Sequence, residues 1–291
     1  MVDISIIIVN YNTVDLTTSC IESIYSSVNS SYEIIVVDNN SSDGSVKILS
    51  QKFPSLTVIS SDINLGFGRA NNLGAAHARG KYLFFLNSDT ILHNDPFPFF
   101  MAFIEKHVKV GCVGTYLFNS SKEYVQSGGC FYSRKKYLRM ALYRWINHPY
   151  PTEVPLKESY SEVDYVIGAD LFVDRLIFLN TGGFDKNIFM YFEDVELCKR
   201  INNLGYKSYI IPGPQITHLV KGSSSSQFSR VHNTASLIYC LSKDISRINL
   251  FFFQLLYFLL KLPICFRYTH GYKNNIEYLL SIFNYSKYLA K

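Results

Sequence analysis

The sequence predicts an α/β fold with a mostly parallel central sheet flanked by helices, and two features of the chain carry that prediction. The first is alternation: short apolar, β-branched runs recur between stretches with helical spacing, the pattern of βαβ units. The second is how those runs end, because each stops abruptly in acids, amides or hydroxyls. A strand buried on both faces reads as an unbroken apolar run, and in open α/β sheets the ligand crevice lies just outside the carboxyl edge. The sharpest example is Tyr82-Leu83-Phe84-Phe85-Leu86, which breaks at Asn87-Ser88-Asp89-Thr90. Chemistry is expected to begin there. A plain turn is the alternative, since Asn, Ser and Asp favour turns for local reasons.

Taken in order, Ile4 to Val9 reads as a buried strand that exits into Asn10-Tyr11-Asn12-Thr13. A helix through Leu16, Cys20, Ile21 and Ile24 follows, capped by Asn12 or Thr13. Glu33 to Val37 is a second strand with the exit Asp38-Asn39-Asn40-Ser41-Ser42-Asp43-Gly44-Ser45. Val46, Leu49 and Phe53 mark a short helix, capped by Ser42 or Asp43 and closed by Pro54. Leu56 to Ile59 is a third strand, and Asn64-Leu65-Gly66-Phe67-Gly68-Arg69-Ala70-Asn71-Asn72-Leu73-Gly74 leads into a helix through Ala75, Ala76 and Ala78. Parallel strands would gather Asn10, Asp38 and Asn87 to Asp89 on one edge, and several such exits suggest a polar ligand pocket. Beyond them, Asn94-Asp95-Pro96 starts a helix reaching about Lys106, and Val110 to Phe118 reads as another strand. Pro149, Pro151 and Pro155 mark an extended loop rather than a domain break.

The 291 residues suffice for one α/β domain with a tail, expected as 1–235 and a helical extension over 236–291. With 48% hydrophobic and 18% charged residues, a largely disordered chain is excluded. A net charge of +5 without an RNA-binding motif or zinc-finger spacing argues against a nucleic-acid partner. Cys20, Cys112, Cys130, Cys198, Cys240 and Cys265 form no Cys-x-x-Cys pair, which points to reduced, mostly buried thiols. The start Met1-Val2-Asp3-Ile4 lacks a basic flank and a cleavage site, so a cytoplasmic protein is expected.

Two stretches raise the question of a surface partner. Ser133 to Arg144 concentrates basic charge with interleaved aromatics, which suits an anionic acceptor, a membrane surface or a solvated face. Residues 250–266 are the most apolar in the chain, yet Gln254, Lys261 and Pro263 interrupt them, and spanning a bilayer takes roughly twenty residues. A helix lying in the headgroup region and a helix packed on the domain or on a second subunit, as in a homodimer, are both open.

The second chemical block runs from Gly182-Gly183-Phe184-Asp185 to Met190-Tyr191-Phe192-Glu193-Asp194. Leu197, Ile201 and Leu204 share a helical face with Gly205 as the stop, which puts Glu193 and Asp194 in the first turn. Capping explains carboxylates there, and so does a base tuned by the aromatic run before it. His218, followed by Gly222 and Ser223 to Ser226, is either a ligand or a structural histidine.

Together these residues resemble family 2 glycosyltransferases of the GT-A fold, particularly the rhamnosyltransferase-like branch that builds bacterial surface polysaccharides. The resemblance spans residues 3–225. It rests on Ile8-Val9-Asn10-Tyr11-Asn12, Val36 to Ser45, Asn64-Leu65-Gly66-Phe67, Leu86-Asn87-Ser88-Asp89-Thr90, and Gly183-Phe184-Asp185 with Phe189 to Asp194, five motifs in order. It implies a hexosyltransferase that moves a sugar, with inversion, from a nucleotide-diphosphate donor such as dTDP-rhamnose to a saccharide or polyprenyl-linked acceptor. It further implies a nucleotide pocket built from Asn10, Tyr11, Asn12, Asp38, Asp43, Asn64, Gly66, Asn71 and Asn87. Asn87-Ser88-Asp89 stands where the family's Asp-x-Asp binds a divalent cation, leaving Asp89, aided by His218, to hold Mn²⁺ or Mg²⁺. Asp194 matches the catalytic base, with Glu193 beside it. Arg144-Trp145 has Ala141 where processive relatives carry Gln, so one sugar per acceptor is expected. Such an enzyme would work in the cytoplasm at the inner face of the cell membrane.

Three other readings compete with this one. A nucleotide-binding dehydrogenase fails because Asn71 stands where the fingerprint needs Gly and the motif does not follow the first strand. A nucleotidyltransferase would need a Gly- and Arg/Lys-rich loop that Asn10 to Asp15 does not offer. A catalytically dead glycan- or membrane-binding scaffold is the remaining alternative, because Asn87 removes one acid from the metal motif.

Overall fold

A computed structural model of the chain describes residues 2–145, 154–219, 226–263 and 271–290, organised as two compact units. The first comprises 1–130, 153–185 and 193–223; the second comprises 131–152, 186–192 and 224–291. The division is discontinuous in sequence, whereas the sequence suggested one boundary at residue 235.

The first unit is built on an eight-stranded sheet. Its elements open with β1 (Ile4–Asn10), α1 (Val14–Ser27), β2 (Tyr32–Asp38), α2 (Ser45–Lys52), β3 (Thr57–Ser60), α3 (Phe67–His77) and β4 (Tyr82–Asn87). There follow β5 (Thr90–Leu92), α4 (Phe97–Lys106), β6 (Val110–Thr115), β7 (Leu117–Phe118), β8 (Tyr124–Val125) and β9 (Gly128–Gly129). After α5 (Arg134–Trp145), which belongs to the second unit, come β10 (Ser161–Val163), β11 (Tyr165–Val166), β12 (Asp170–Asp174), α6 (Arg175–Asn180), α7 (Glu193–Asn203), β13 (Lys207–Ile211) and β14 (Ile216–His218). The main sheet has the order β10-β13-β6-β12-β4-β1-β2-β3, and β5-β14-β7-β8 form a smaller one. Strands β3, β2, β1 and β4 are parallel, as is the pair β6–β13, while β12 runs antiparallel to both β4 and β6.

Strand β4 shows why its sequence is apolar without alternation. Phe84 meets Phe97, Phe100 and Phe172 on one face, with ring centroids 5.3, 5.8 and 6.3 Å away. Phe85 meets Phe178 and Phe184 on the other, at 4.9 and 5.0 Å. A strand flanked on both sides has no solvent face to leave polar. Helix α4 begins as its sequence predicts, with Pro96 at the cap and the Asp95 carboxylate accepting the Phe97 N–H at 3.0 Å.

Three expectations change. The run Val110 to Phe118 is two strands, because the Thr115 N–H leaves the ladder for the Asp170 carboxylate (2.6 Å) and the chain passes into the small sheet. The cap of α2 is Gly44, in a left-handed conformation at φ +80°, rather than Ser42 or Asp43, while α1 is capped at Thr13 as expected, without a side-chain capping bond. Leu204 lies outside α7 and is 57% exposed, whereas Leu197 and Ile201 are buried.

The second unit is helical: α5, α8 (Ser226–Asp244), α9 (Arg247–Lys261), α10 (Tyr272–Ser281) and a 3-10 turn Tyr285–Tyr288. Among the described cysteines only Cys130 is exposed and none forms a disulfide; Cys265 lies outside the described residues.

Gly74 sets how closely α3 approaches the sheet. A Cβ there would sit 2.6 Å from Ile7 Cγ2 and 3.2 Å from Val37 Cγ2. Ala gains about 1 kcal/mol in helix propensity, but overpacking a close contact costs about 1–3 kcal/mol. Gly74→Ala is therefore expected to lower the urea midpoint of unfolding, and an unchanged or higher midpoint would show that α3 can retreat freely.

Candidate active site

The carboxyl edge of β1 and β2 is closed by a saturated amide. Register sets Asn10 beside Asp38, and the Asn10 Nδ2 donates to Asp38 Oδ1 (2.8 Å) and to Ser41 Oγ (3.0 Å). The Asn10 Oδ1 accepts the hydroxyls of Thr13 (3.1 Å) and Thr17 (2.6 Å), and Asp38 Oδ2 accepts the Ser41 N–H (3.0 Å). Both side chains are buried, and Asn10 has used two donors and two acceptor sites, its whole capacity. Asn10 therefore has no side-chain capacity left for the nucleotide contact expected of it, whereas Asp38 has used one acceptor site on each carboxylate oxygen. Tyr11 and Asn12 are exposed, with Asn12 at φ +54° and its Oδ1 accepting the Ser42 N–H at 2.8 Å. Asp43 is exposed and accepts N–H groups from Val14 and Ser45 (both 3.1 Å) and the Ser45 hydroxyl. Burial pulls its carboxyl upward, but these bonds prevail and hold it below the usual range.

Asn39, which nothing local singles out within its Asp-Asn-Asn run, fixes the next wall. Its Nδ2 donates to Asn64 Oδ1 (2.9 Å) and to the Gly66 carbonyl (3.2 Å), and its Oδ1 accepts the Leu65 N–H (2.8 Å). Gly66 caps α3 at φ +79°. Asn71, expected as a nucleotide ligand, points inward instead: it is 1% exposed, its Nδ2 donates to the Phe67 carbonyl (3.1 Å), and its Oδ1 has no partner. Its neighbour Asn72 clamps the Gly183-Phe184 turn, donating to the Phe184 carbonyl and accepting the Phe184 N–H, each at 2.8 Å.

The exit of β4 meets β14. Antiparallel pairing sets Thr90 opposite His218, and His218 Nε2 lies 3.2 Å from Asp89 Oδ1 and 3.4 Å from Asn87 Nδ2. Ser88 Oγ is 3.3 Å from the Thr13 hydroxyl, tying this exit to that of β1. The described residues hold no cluster of three His, Cys, Asp or Glu side chains suited to a metal. Asp89 and His218 nevertheless form a carboxylate–imidazole pair, and Asn87 adds an amide whose N and O are interchangeable by a flip. That donor set fits a divalent ion that takes both oxygen and nitrogen, which favours Mn²⁺ over Mg²⁺. Residues 220–225, which include most of the polar stretch after His218, lie outside the described residues.

Helix α7 opens with Glu193 and Asp194. Asp194 Oδ1 accepts the Val195 N–H (2.8 Å), a capping bond, but its Oδ2 accepts the N–H of Gly168 (2.9 Å), which is far away in sequence. Capping therefore explains one oxygen only. Glu193 is 6% exposed and its Oε2 has no partner. Burial, reinforced by the charge of Asp194, pushes Glu193 up to about 8. Burial raises Asp194 as well, against its bonds from Gly168 and Val195. Tyr191 and Phe192, just before, adopt φ of +67° and +70°, a region that costs a non-glycine residue about 1–2 kcal/mol. One further acid had no sequence signal beyond heading an apolar run: Asp170 is buried opposite Leu86, its Oδ1 has no partner, and burial raises it well above the carboxylate range.

Residues 5–156 match glycosyl transferase family 2, and the chain belongs to that family. It is 28% identical over 220 residues to the rhamnosyltransferase WbbL of Escherichia coli (strain K12), covering 68% of this chain and 77% of that protein. It is 23% identical over 204 residues to the N-acetylglucosaminyl-diphospho-decaprenol L-rhamnosyltransferase of Mycobacterium tuberculosis, covering 64% of this chain and 66% of that one. The chain is a glycosyltransferase of the rhamnosyltransferase-like branch. Its fold is similar to that of GalNAc-T7 with UDP, GalNAc and Mn²⁺, with a TM-score of 0.62, 15% identity and coverage of 82% of this chain and 48% of that one. It is likewise similar to the mannosyltransferase PcManGT of Pyrobaculum calidifontis with GDP-Man and Mn²⁺, with a TM-score of 0.60, 15% identity and coverage of 98% and 87%. The fold is GT-A.

A carboxyl raised on folding binds protons that the unfolded chain has already released, so stability falls as pH rises from about 4.5 to about 8. Glu193→Gln removes that loss. It is expected to raise the melting temperature at pH 8 and to flatten its pH dependence across this window. A variant that melts lower than wild type at pH 8 would show that Glu193 is held there as an anion.

Proposed function

We propose that this family 2 glycosyltransferase transfers one sugar per acceptor, with inversion, from a nucleotide-diphosphate donor to a hydroxyl of a saccharide or polyprenyl-linked acceptor in bacterial surface polysaccharide synthesis. The observation that carries the reading is Asp194, a carboxyl raised by burial and aimed by the Gly168 N–H. The two relatives named as rhamnosyltransferases support dTDP-rhamnose as donor, and the decaprenol in one of those names supports a lipid-linked acceptor met at the inner face of the cell membrane.

In this mechanism the acceptor hydroxyl gives its proton to Asp194 as its oxygen bonds to the anomeric carbon. The bond from that carbon to the diphosphate oxygen breaks on the opposite face, which inverts the configuration. A base works best when its proton affinity lies near the working pH, and burial moves Asp194 in that direction. Glu193, kept protonated, spares the helix terminus a second negative charge. Tyr11, Asn12 and Asp43 hold the nucleoside side of the donor, with the Asn64–Gly66 loop beside them. Asp89 and His218, with Asn87, would hold a divalent cation, which when bound compensates the charge of the departing diphosphate.

The alternative of a binding scaffold without turnover rests on Asn87, a neutral group where the family's motif carries an acid. Nucleotide release from UDP-, dTDP- and GDP-sugars separates the two. Asp194→Asn is expected to cut transfer about 10²–10⁴-fold, the usual worth of a general base, with donor binding preserved. Wild-type turnover in that variant would remove Asp194 as base. EDTA should abolish nucleotide release and Mn²⁺ restore it, with His218→Ala raising the Mn²⁺ concentration required. Full activity in EDTA would overturn the metal assignment.

A further inference from the structure

Helix α9 is apolar on both faces, yet only one of them is covered. Leu250, Phe253, Gln254 and Tyr257 are buried, and Gln254 anchors the helix by donating to the Ile282 carbonyl (2.6 Å). On the opposite face Ile248, Phe251, Phe252, Leu255, Leu256 and Leu259 are 40–71% exposed. At 100° per residue these six fall within one stripe about 140° wide, and it carries no charged residue. A helix that is hydrophobic all round is normally buried all round.

Helix α5 packs against α9 in the same unit and carries exposed cations. Leu142, 52% exposed, lies at helical spacing among the exposed Arg134, Lys135 and Arg139. Neither α5 nor α9 contains a single acidic residue. An exposed apolar stripe on one helix, packed beside a helix with exposed cations and no acids on either, matches a bilayer surface of negative charge. A second copy of this chain is a poorer occupant, because a twofold interface would bring two cation-bearing helix pairs together with no acid on either helix to pair them. Nor does α9 cross the bilayer: its 15 residues span about 22 Å, against a hydrocarbon core of about 30 Å, and no described helix is long and apolar enough to cross.

We infer that the exposed faces of α9 and α5 form one docking surface for anionic phospholipid, with the α9 stripe entering the headgroup region and Arg134, Lys135 and Arg139 meeting lipid phosphates. The inference stands on the second unit alone and holds or fails independently of the catalytic reading.

Co-sedimentation of the full chain with vesicles tests it. Equal parts phosphatidylcholine and phosphatidylglycerol should bind the protein, pure phosphatidylcholine should bind it far less, and raised salt should release part of the bound fraction. Phe251→Ser with Phe252→Ser should abolish sedimentation without changing the melting temperature or nucleotide release, since both rings already face solvent. Lys135→Gln with Arg139→Gln should weaken anionic-vesicle binding about thirtyfold, at about 1 kcal/mol for each cation near the surface. Three results would overturn it: no binding to either vesicle, equal binding to both, or a dimer in size-exclusion chromatography that the two Phe substitutions dissolve.

Discussion

The hydrogen-bond saturation of Asn10 is the constraint on which the active edge depends. Its amide sits where two parallel strands end in register, at a depth where each unmet polar atom costs about 1–3 kcal/mol. The geometry that satisfies it fixes four other residues at once: Asp38 and Ser41 beyond β2, and Thr13 and Thr17 at the start of α1. Ser41 in turn accepts the Asn12 N–H (2.9 Å), which helps hold Asn12 in its left-handed conformation. A single buried side chain thereby sets the shape of a surface it does not reach.

The opposite wall is set by packing rather than by polar bonds. Phe84 and Phe85 pin β4 from its two faces, so its exit cannot slide relative to β1, whose Val9 pairs with Asn87. From that fixed point the chain reverses into β5, and pairing with β14 delivers His218, 131 residues beyond Asn87, to the carboxylate of Asp89. The site's polar groups are therefore located by a strand whose own body is apolar.

Much of this was legible in the sequence, and the limits have a physical cause. Unbroken apolar runs marked β1, β2 and β4 because burial on two faces leaves no room for alternation, and their polar exits marked the edge. What the pattern could not give is direction. Asn10, Asn39 and Asn72 read the same as any other polar amide, yet each turns inward as a clamp, a difference fixed by partners distant in sequence such as Asp38, Asn64 and Phe184. Strand β12 was equally hidden. Its antiparallel insertion between β4 and β6 depends on contacts made across the sheet, and with it came Asp170, whose partner Thr115 lies 55 residues away.

Asp43 and Asp194 show how a shared local grammar yields two chemistries. Each acid stands beside the start of a helix, where the terminal N–H groups and the dipole favour an anion by about 0.3–1 kcal/mol. For Asp43 that setting decides the outcome, since its three donors face an exposed carboxylate and hold it low. For Asp194 the same advantage is outweighed by desolvation, which is several times larger for a carboxylate drawn from water. The second difference is the source of the donors: those of Asp43 are the first residues of the adjacent helices α1 and α2, whereas Gly168 belongs to neither α7 nor the turn that precedes it. A carboxyl held from outside its own helix is fixed in direction even where it contributes little to that helix's stability. Burial and a remote donor, rather than the acid itself, separate a candidate base from a cap.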